Sequence, residues 1–441
     1  MRCAAWLLIS AFAVATVTAE SRPNIVMILV DDMGYADLSC YGSKAHRTPH
    51  IDRLAAEGMR FLDFHSNGAV CSPTRAALLT GRYPQRSGIE AAIGFVRDEG
   101  VPLEATMVSE VLRAGGYRTG VFGKWHVGHV QSFGPNDQGF DESRCANNNP
   151  DYHSHVSRDG KVDWYRDQTL ADEPGYLVDV VTRHATRFIA ENKERSFFLY
   201  VPHLAGHFPY QGRSDPPHRT AGRTWDGDSK YGALPKTEQK RAYREMIEAV
   251  DESVGKIVAA LTEAGLRERT LIFLCSDNGG YANVSDNGPY RGEKGSLFEG
   301  GHRVAAIAHW PGHIRPATTA ATAMTADLMP TFIAVSGAAK PAGLALDGVD
   351  LSGVLLRGEQ LAPRALFWRD VDEKAVRLGP WKLLRRGEAT ALYHLERDPG
   401  EVRDLAAEEP ARVRELAAKL VGWEADVGPR ATQVLLPAKT R

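Results

Sequence analysis

Cysteine is scarce: five in 441 residues, at spacings that suggest no disulfide framework. Cys3 lies in the first few residues, so Cys40, Cys71, Cys145 and Cys275 belong to the body of the chain. Cys275 sits inside an apolar run and reads as a buried thiol. An excess of either charge is also missing, since 53 Lys and Arg against 55 Asp and Glu leave a net charge of −2. That balance argues against a nucleic-acid surface, which carries a strong basic excess. An anionic ligand must therefore be met by a few local cations. After the first two dozen residues no apolar stretch approaches bilayer length, which argues against stable membrane insertion. Internal repeats and low-complexity tracts are lacking too. What is present, 43% hydrophobic and 24% charged residues, is an ordinary globular composition with a sizeable core.

The opening MRCAAWLLISAFAVATVTAES has the parts of a secretory signal. Arg2 supplies the positive end, Trp6 to Val17 are mostly apolar, and Val17-Thr18-Ala19 is a small-residue cleavage site. The expectation is a signal peptide over 1–19 and an exported chain, periplasmic or secreted; an uncleaved anchor is the alternative. Length allows two or three domains in the remainder. A change of character near Pro341 divides it into 20–340 and 341–441.

Before that change, four apolar runs end in polar residues. NIVMILV (24–30) stops at Asp31-Asp32, and RTGVFG (118–123) at Lys124-Trp125-His126. FFLYV (197–201) stops at Pro202-His203, with His207 four residues on, and TLIFLC (270–275) at Ser276-Asp277-Asn278. Helical patterns such as LVDVVTRHATRFIAEN lie between them. Continuous apolar strands alternating with helices predict an α/β fold, a mostly parallel central sheet with helices on both faces. Ligands of such sheets sit beyond the carboxyl ends of the strands, so all four polar clusters are expected to face one crevice. After Pro341, short runs such as ALFWR, WKLLRR and TALYHL precede an amphipathic PARVRELAAKLVGWEADV. They predict a small C-terminal antiparallel sheet with one helix.

Asp31, Asp32, Asp277 and Asn278 offer only hard oxygen ligands. Two carboxylates about 4 Å apart repel by about 4 kcal/mol at an effective dielectric of 20, so converging acids need a cation or protons. Oxygen ligands favour calcium or magnesium over zinc. Helix capping or plain surface charge is the competing account of Asp31-Asp32. Lys124 and His126, two apart, point the same way if strand geometry continues; a solvated loop is the alternative. His129, His153 and His203 read as structural. NGPYRGEKGSLFEGGHRV (287–304) is glycine-rich and carries Arg291 and Lys294; its form suits a loop that brings a cation close to an anion, without the spacing of a phosphate-binding P-loop.

In CSPTRAALLTG (71–81), Pro73 suits the first turn of a helix, whose N-terminus attracts anions. Arg75, one turn in, adds a bidentate donor for a tetrahedral oxyanion. A thiolate at Cys71 is compatible with a helix start. Beside three carboxylates and an incoming anion it gains little, and hard calcium is a poor partner for sulfur. An oxygen nucleophile fits better.

With these residues in place, the chain resembles the formylglycine-dependent sulfatases of the alkaline-phosphatase-like superfamily. CSPTRAALLTGRYP matches the C-x-P-x-R signature and its LLTG continuation throughout. The resemblance extends over nearly all of the mature chain, through NIVMILVDDMGYADLSCYG, GYRTGVFGKWHVG, DQGFDE, LCSDNGG and RGEKGSLFEGG. The C-terminal GPWKLLRR and LYHLERDPGEVRDLA belong to it as well. The arylsulfatase A and N-acetylgalactosamine-4-sulfatase branch is the most similar. The resemblance implies that a formylglycine-generating or sulfatase-maturating enzyme converts Cys71 to 3-oxoalanine (formylglycine), whose hydrate supplies the oxygen nucleophile.

It further implies a calcium ion, or magnesium, held by Asp31, Asp32, Asp277, Asn278 and residue 71. Arg75 positions the modified residue, and Lys124, His207 and Lys294 hold the sulfate group. His126 hydrogen-bonds the diol, while Ser154, with His155 beside it, contributes to substrate binding. The expected activity is hydrolysis of a sulfate ester, with a sulfated carbohydrate as substrate. A phosphomonoester or phosphonate ester hydrolase on the same scaffold, and a non-catalytic glycan-binding protein with unmodified Cys71, are the alternatives. The polar segment 211–236 either rims the pocket or is a surface loop.

Overall fold

The computed structural model describes residues 22–94, 99–224 and 235–430. The leader at 1–19 and part of the 211–236 segment lie outside them. Each of the four apolar runs forms a strand: β1 (Asn24–Val30), β3 (Arg118–Lys124), β7 (Phe197–His203) and β8 (Thr270–Ser276). They are consecutive and parallel, in the order β8-β1-β7-β3, at the centre of an 11-stranded sheet. Beyond β3 come β4 (Glu142–Ala146), parallel to it, and the short antiparallel β5 (Tyr165–Arg166) and β6 (Thr169–Leu170). Beyond β8 lie β9 (Arg303–His309) and β2 (Met59–His65), antiparallel neighbours, then β10 (Ala317–Thr319) and β11 (Ala323–Met324) on β2.

Strand alternation explains why the central runs are apolar throughout. Ile25, Met27 and Leu29 of β1 enter one core with Ala76, Leu78 and Leu79 of the Cys71–Thr80 helix. Val26, Ile28 and Val30 enter the opposite core with the helices Leu177–Glu191 and Lys236–Glu263. Between β3 and β7 the backbones approach closely at Gly123, where φ is +136° and a Cβ would stand 2.0 Å from the Pro202 carbonyl oxygen. Only glycine fits one residue before Lys124.

The C-terminal sheet is an antiparallel meander of β12 (Ala365–Arg369), β13 (Glu373–Leu378), β14 (Trp381–Arg386) and β15 (Ala389–His394). The helix Pro410–Val427 covers it through Leu416, Leu420 and Trp423, in a core that also takes in Ala77, Leu297 and Phe298. Residues just after Pro341 do not belong to this sheet. Leu351, Val354 and Leu355 pack into the first core of the large sheet.

Buried ion pairs tie the two sheets together. Arg377 of β13 donates two hydrogen bonds to Asp63 of β2, at 2.6 and 2.8 Å. Burial alone would raise the Asp63 carboxyl. Arg377, His65 and Arg303 outweigh it and hold the group well below its ordinary 3.8. A carboxyl depressed in the folded state stabilises above its unfolded value and loses that contribution as pH falls. Asp63→Asn is expected to reduce stability near neutrality by about 3 kcal/mol and to flatten the acid limb below about pH 4. Denaturant midpoints across pH measure both, and an unchanged acid limb would count against the linkage.

Candidate active site

The buried helix Cys71–Thr80 begins at Cys71, after an extended Val70. Pro73 is therefore its third residue, within the first turn, where no N–H partner is needed. The start of this helix meets the carboxyl ends of β1 and β8. The Cys71 thiol lies 3.3 Å from Asp31 Oδ1 and 4.0 Å from Asp32 Oδ1. Burial, then the Asp31 carboxylate, pushes its pKa up, so it stays a neutral thiol.

Asp31, Asp32, Asp277 and Asn278 are fully or almost fully buried. The Asp32 backbone has φ +54° and donates its N–H to Asp277 Oδ1 at 3.2 Å, which turns β1's end towards β8's. Three cations face the three carboxylates. Arg75 donates to Asp277 Oδ2 from Nε at 3.1 Å and Nη2 at 2.7 Å, and from Nη1 to the Lys124 carbonyl at 2.9 Å. Lys124 Nζ is 2.5 Å from Asp31 Oδ2. Lys294 Nζ is 2.6 Å from Asp32 Oδ1 and 3.4 Å from the Cys71 sulfur. Burial pushes the Asp277 carboxyl up to about 7, reinforced by Asp31 and partly offset by Arg75. Asp31, surrounded by Lys124, His207, Arg75 and Lys294, is held well below its ordinary value despite burial.

These residues suit a hard cation. Asn278 donates through Nδ2 to Asp32 Oδ1 at 2.8 Å, while its buried Oδ1 has no hydrogen-bond partner. An orphaned carbonyl oxygen costs about 1–3 kcal/mol, and a cation would satisfy it together with the converging carboxylates.

The two histidines have assignable tautomers. His207 Nδ1 donates to the Phe208 carbonyl at 2.6 Å, leaving Nε2 facing Asp32 Oδ2 at 3.6 Å and Asn149 Nδ2 at 3.3 Å. The loop that carries it is fastened to β1 by reciprocal backbone bonds between Asp31 and Ala205-Gly206. His126 does not continue β3's alternation. The strand stops at Lys124, and His126 takes φ +55°. Its Nε2 donates to the Ile93 carbonyl at 3.0 Å, and its Nδ1 is buried without a partner. The lone pair available for taking a proton is therefore on Nδ1. Burial and the Lys124 and Lys294 charges keep His207 neutral, and burial, Lys124 and Arg75 do so for His126.

No hydrogen bond joins Ser154 or His155 to this cluster, and the buried Ser154 Oγ has no hydrogen-bond partner. Ser154 N donates to Asp151, and His155 Nε2 bonds the Gly175 carbonyl, because Asp151 folds this stretch into its own hydrogen-bonded turn. The side chain beside His207 is Asn149, from the three asparagines that follow β4. β4, Glu-Ser-Arg-Cys-Ala, has no apolar run, so this fifth parallel strand end carries little sequence signal. A further pocket of about 560 Å³ opens beside His126 and Asn148, lined also by Asn147, Lys161, Asp163 and Tyr165. A more spacious concavity, about 800 Å³, is elsewhere, between Ser43–His46 and Lys240–Arg244.

A mostly parallel sheet whose strand ends gather acids, cations and a helix-start cysteine defines a hydrolase-type active site with a floor of hard oxygen ligands. The sulfatase family model matches residues 23–338. Human arylsulfatase A is 34% identical over 449 residues, covering 88% of this chain and 84% of that protein. Mouse N-acetylgalactosamine-6-sulfatase is 34% identical over 405 residues, covering 85% and 74%. The crystal structure of Ps i-CgsB superposes with a TM-score of 0.84 at 30% identity, over 93% of this chain and 94% of the other. That protein has also been solved in complex with k-i-k-neocarrahexaose. The chain belongs to the sulfatase family and is an arylsulfatase-like enzyme acting on sulfate esters.

Proposed function

We propose that this enzyme releases inorganic sulfate from a sulfated carbohydrate, with residue 71 converted to formylglycine and one calcium ion in the acidic floor. The observation that carries this reading is the Cys71 position itself. Its sulfur lies between Asp31 at 3.3 Å and Lys294 at 3.4 Å, with the thiol held neutral. A neutral thiol is a poor nucleophile, whereas an oxygen at that point matches the hard ligands around it. Formylglycine at residue 71 would supply, as its hydrate, an oxygen nucleophile, and because loss of sulfate from a geminal diol leaves an aldehyde, addition of water would restore that hydrate. Asp31, Asp32, Asp277, Asn278 and residue 71 would hold a calcium or magnesium ion, which would supply Lewis-acid polarisation.

The chain's own side chains do the rest. Lys124 and Lys294 each carry ammonium N–H groups beyond those facing Asp31 and Asp32, and these donate to the sulfate oxygens as charge builds there. Arg75 orients Asp277 and favours its ionised form against the effect of burial. His126 takes a proton at Nδ1 from a hydroxyl at residue 71. His207, whose Nδ1 is committed to Phe208, presents Nε2 to the departing alcohol; that nitrogen must first take up a proton in the substrate complex before it can pass one to the leaving oxygen, and Asn149 steers the ring.

The names of the relatives support a carbohydrate substrate. One of the three is an N-acetylgalactosamine-6-sulfatase, and another was crystallised with a neocarrahexaose. The polar pocket beside His126 is roomy enough for a sugar. The leader supports export, periplasmic or secreted. Cys71 is 1% exposed, so a maturating enzyme must reach it before the fold closes. The test combines sulfate release from glycan and aryl esters, matched phosphate esters as controls, and the mass of the tryptic peptide FLDFHSNGAVCSPTR. A lighter, aldehyde-bearing peptide with preferential sulfate release is expected. A fully active sample whose peptide carries only the thiol would overturn the reading.

A further inference from the structure

The C-terminal motifs GPWKLLRR and DPGE have no part in the site described so far, yet they meet beneath one of its lysines. Lys382 Nζ, fully buried, lies 3.0 Å from Glu299 Oε1 and 2.9 Å from Glu401 Oε1. It also reaches His302 Nε2 at 3.1 Å. His302 and His65 share a hydrogen bond between their Nδ1 atoms at 3.1 Å, and His65 Nε2 meets both Asp63 Oδ1 at 3.0 Å and Arg377 Nη1 at 2.7 Å. The two histidines and Glu299 are spaced as metal ligands would be. The Lys382 ammonium already stands among them as the cation.

This cluster grips the loop that carries Lys294. Glu401, with φ +50°, accepts the Glu299 backbone N–H on Oε2 at 2.6 Å, and its carbonyl accepts from Arg291 Nη1 at 2.8 Å. The Gly300 N–H in turn bonds the Arg291 carbonyl at 2.7 Å. Glu373 Oε2, on β13, accepts the Leu297 N–H at 3.1 Å. The C-terminal sheet and its following loop therefore hold positions 291, 297 and 299. The catalytic domain adds bonds at Lys294 N to the Gly280 carbonyl and Gly295 N to the Ala69 carbonyl, two residues before Cys71.

We infer that Lys382, Glu401 and Glu373 are positioning residues that fix the Lys294 ammonium over residue 71, so that the C-terminal sheet is part of the catalytic apparatus. The inference rests on the reading that Lys294 contacts the transferred group. Buried charge suits such a task because an ammonium between two carboxylates tolerates few alternative geometries.

The test is a double-mutant cycle on kcat/KM for a sulfate ester, using the full mature chain. Lys294→Ala alone is expected to lower kcat/KM by about 100- to 1,000-fold. Glu401→Gln, which keeps an acceptor for the Glu299 N–H and removes the charge, is expected to lower it by about tenfold in the wild-type background. In the Lys294→Ala background it should cost less than about twofold. Equal losses in both backgrounds, or no loss in the wild type, would overturn the inference. If Lys294→Ala itself leaves turnover intact, the reading of the site fails instead. Glu373→Ala, which cuts the Leu297 tie without stranding a buried charge in the Lys382 cluster, repeats the cycle should Glu401→Gln fail to fold. The same non-additivity is expected, and multiplicative losses would again count against the inference.

Discussion

Replacing Cys71 by alanine is expected to abolish sulfate-ester hydrolysis while leaving the fold in place. The loss should approach about six orders of magnitude in kcat, the scale seen when a hydrolase loses its covalent nucleophile. Stability should change little, because the variant removes one buried sulfur and leaves no charge unpaired. Cys71→Ser separates two steps. A serine oxygen can accept the sulfuryl group once but has no second hydroxyl from which to expel it, so one turnover without a second is the expected result. Rapid-quench and steady-state sulfate release measure this directly, and sustained turnover by a pure serine variant would sink the elimination step.

Arg75→Met should produce the largest loss of stability of any single change in the site. Arg75 is fully buried and is the fork that holds Asp277, at 2.7 and 3.1 Å, and it also lies 3.5 Å from Asp31. Removing one member of a buried pair leaves an uncompensated charge and costs about 3–5 kcal/mol. The double variant Arg75→Met with Asp277→Asn removes the stranded carboxylate as well and should recover a large part of that loss. Denaturant midpoints for the two single variants and the double variant decide it. A cost in Arg75→Met below about 1 kcal/mol, or strict additivity, would show that the pair does not carry this energy. Arg75→Lys keeps the charge but not the fork, and should fall between wild type and methionine.

Much of the site is legible in the residue pattern, because its members sit where chemistry and strand ends coincide. Four apolar runs, each stopping at a polar group, place Asp31, Lys124, His207 and Asp277 at one end of one sheet. What stays hidden follows from local physics. β4 has polar residues in place of an apolar run, so the asparagines beyond it, including Asn149 beside His207, carry no periodic signal. Ser154 and His155 stand near it in sequence, but Asp151 draws them into a separate turn. His126 reaches its place through a left-handed backbone, not through the alternation that Lys124 obeys.

Sequence alone determined the parallel sheet, the helix start at Cys71 and the supply of hard oxygen ligands, since periodicity, helix-terminus chemistry and side-chain type are local properties. Only the tertiary structure decided which histidine nitrogen carries a proton. It alone showed that Asn278 holds an unpaired oxygen beside Asp32, and that Lys382 and Glu401, more than 85 residues beyond Lys294, grip its loop. Those facts depend on contacts between segments far apart in the chain, and no local pattern encodes them.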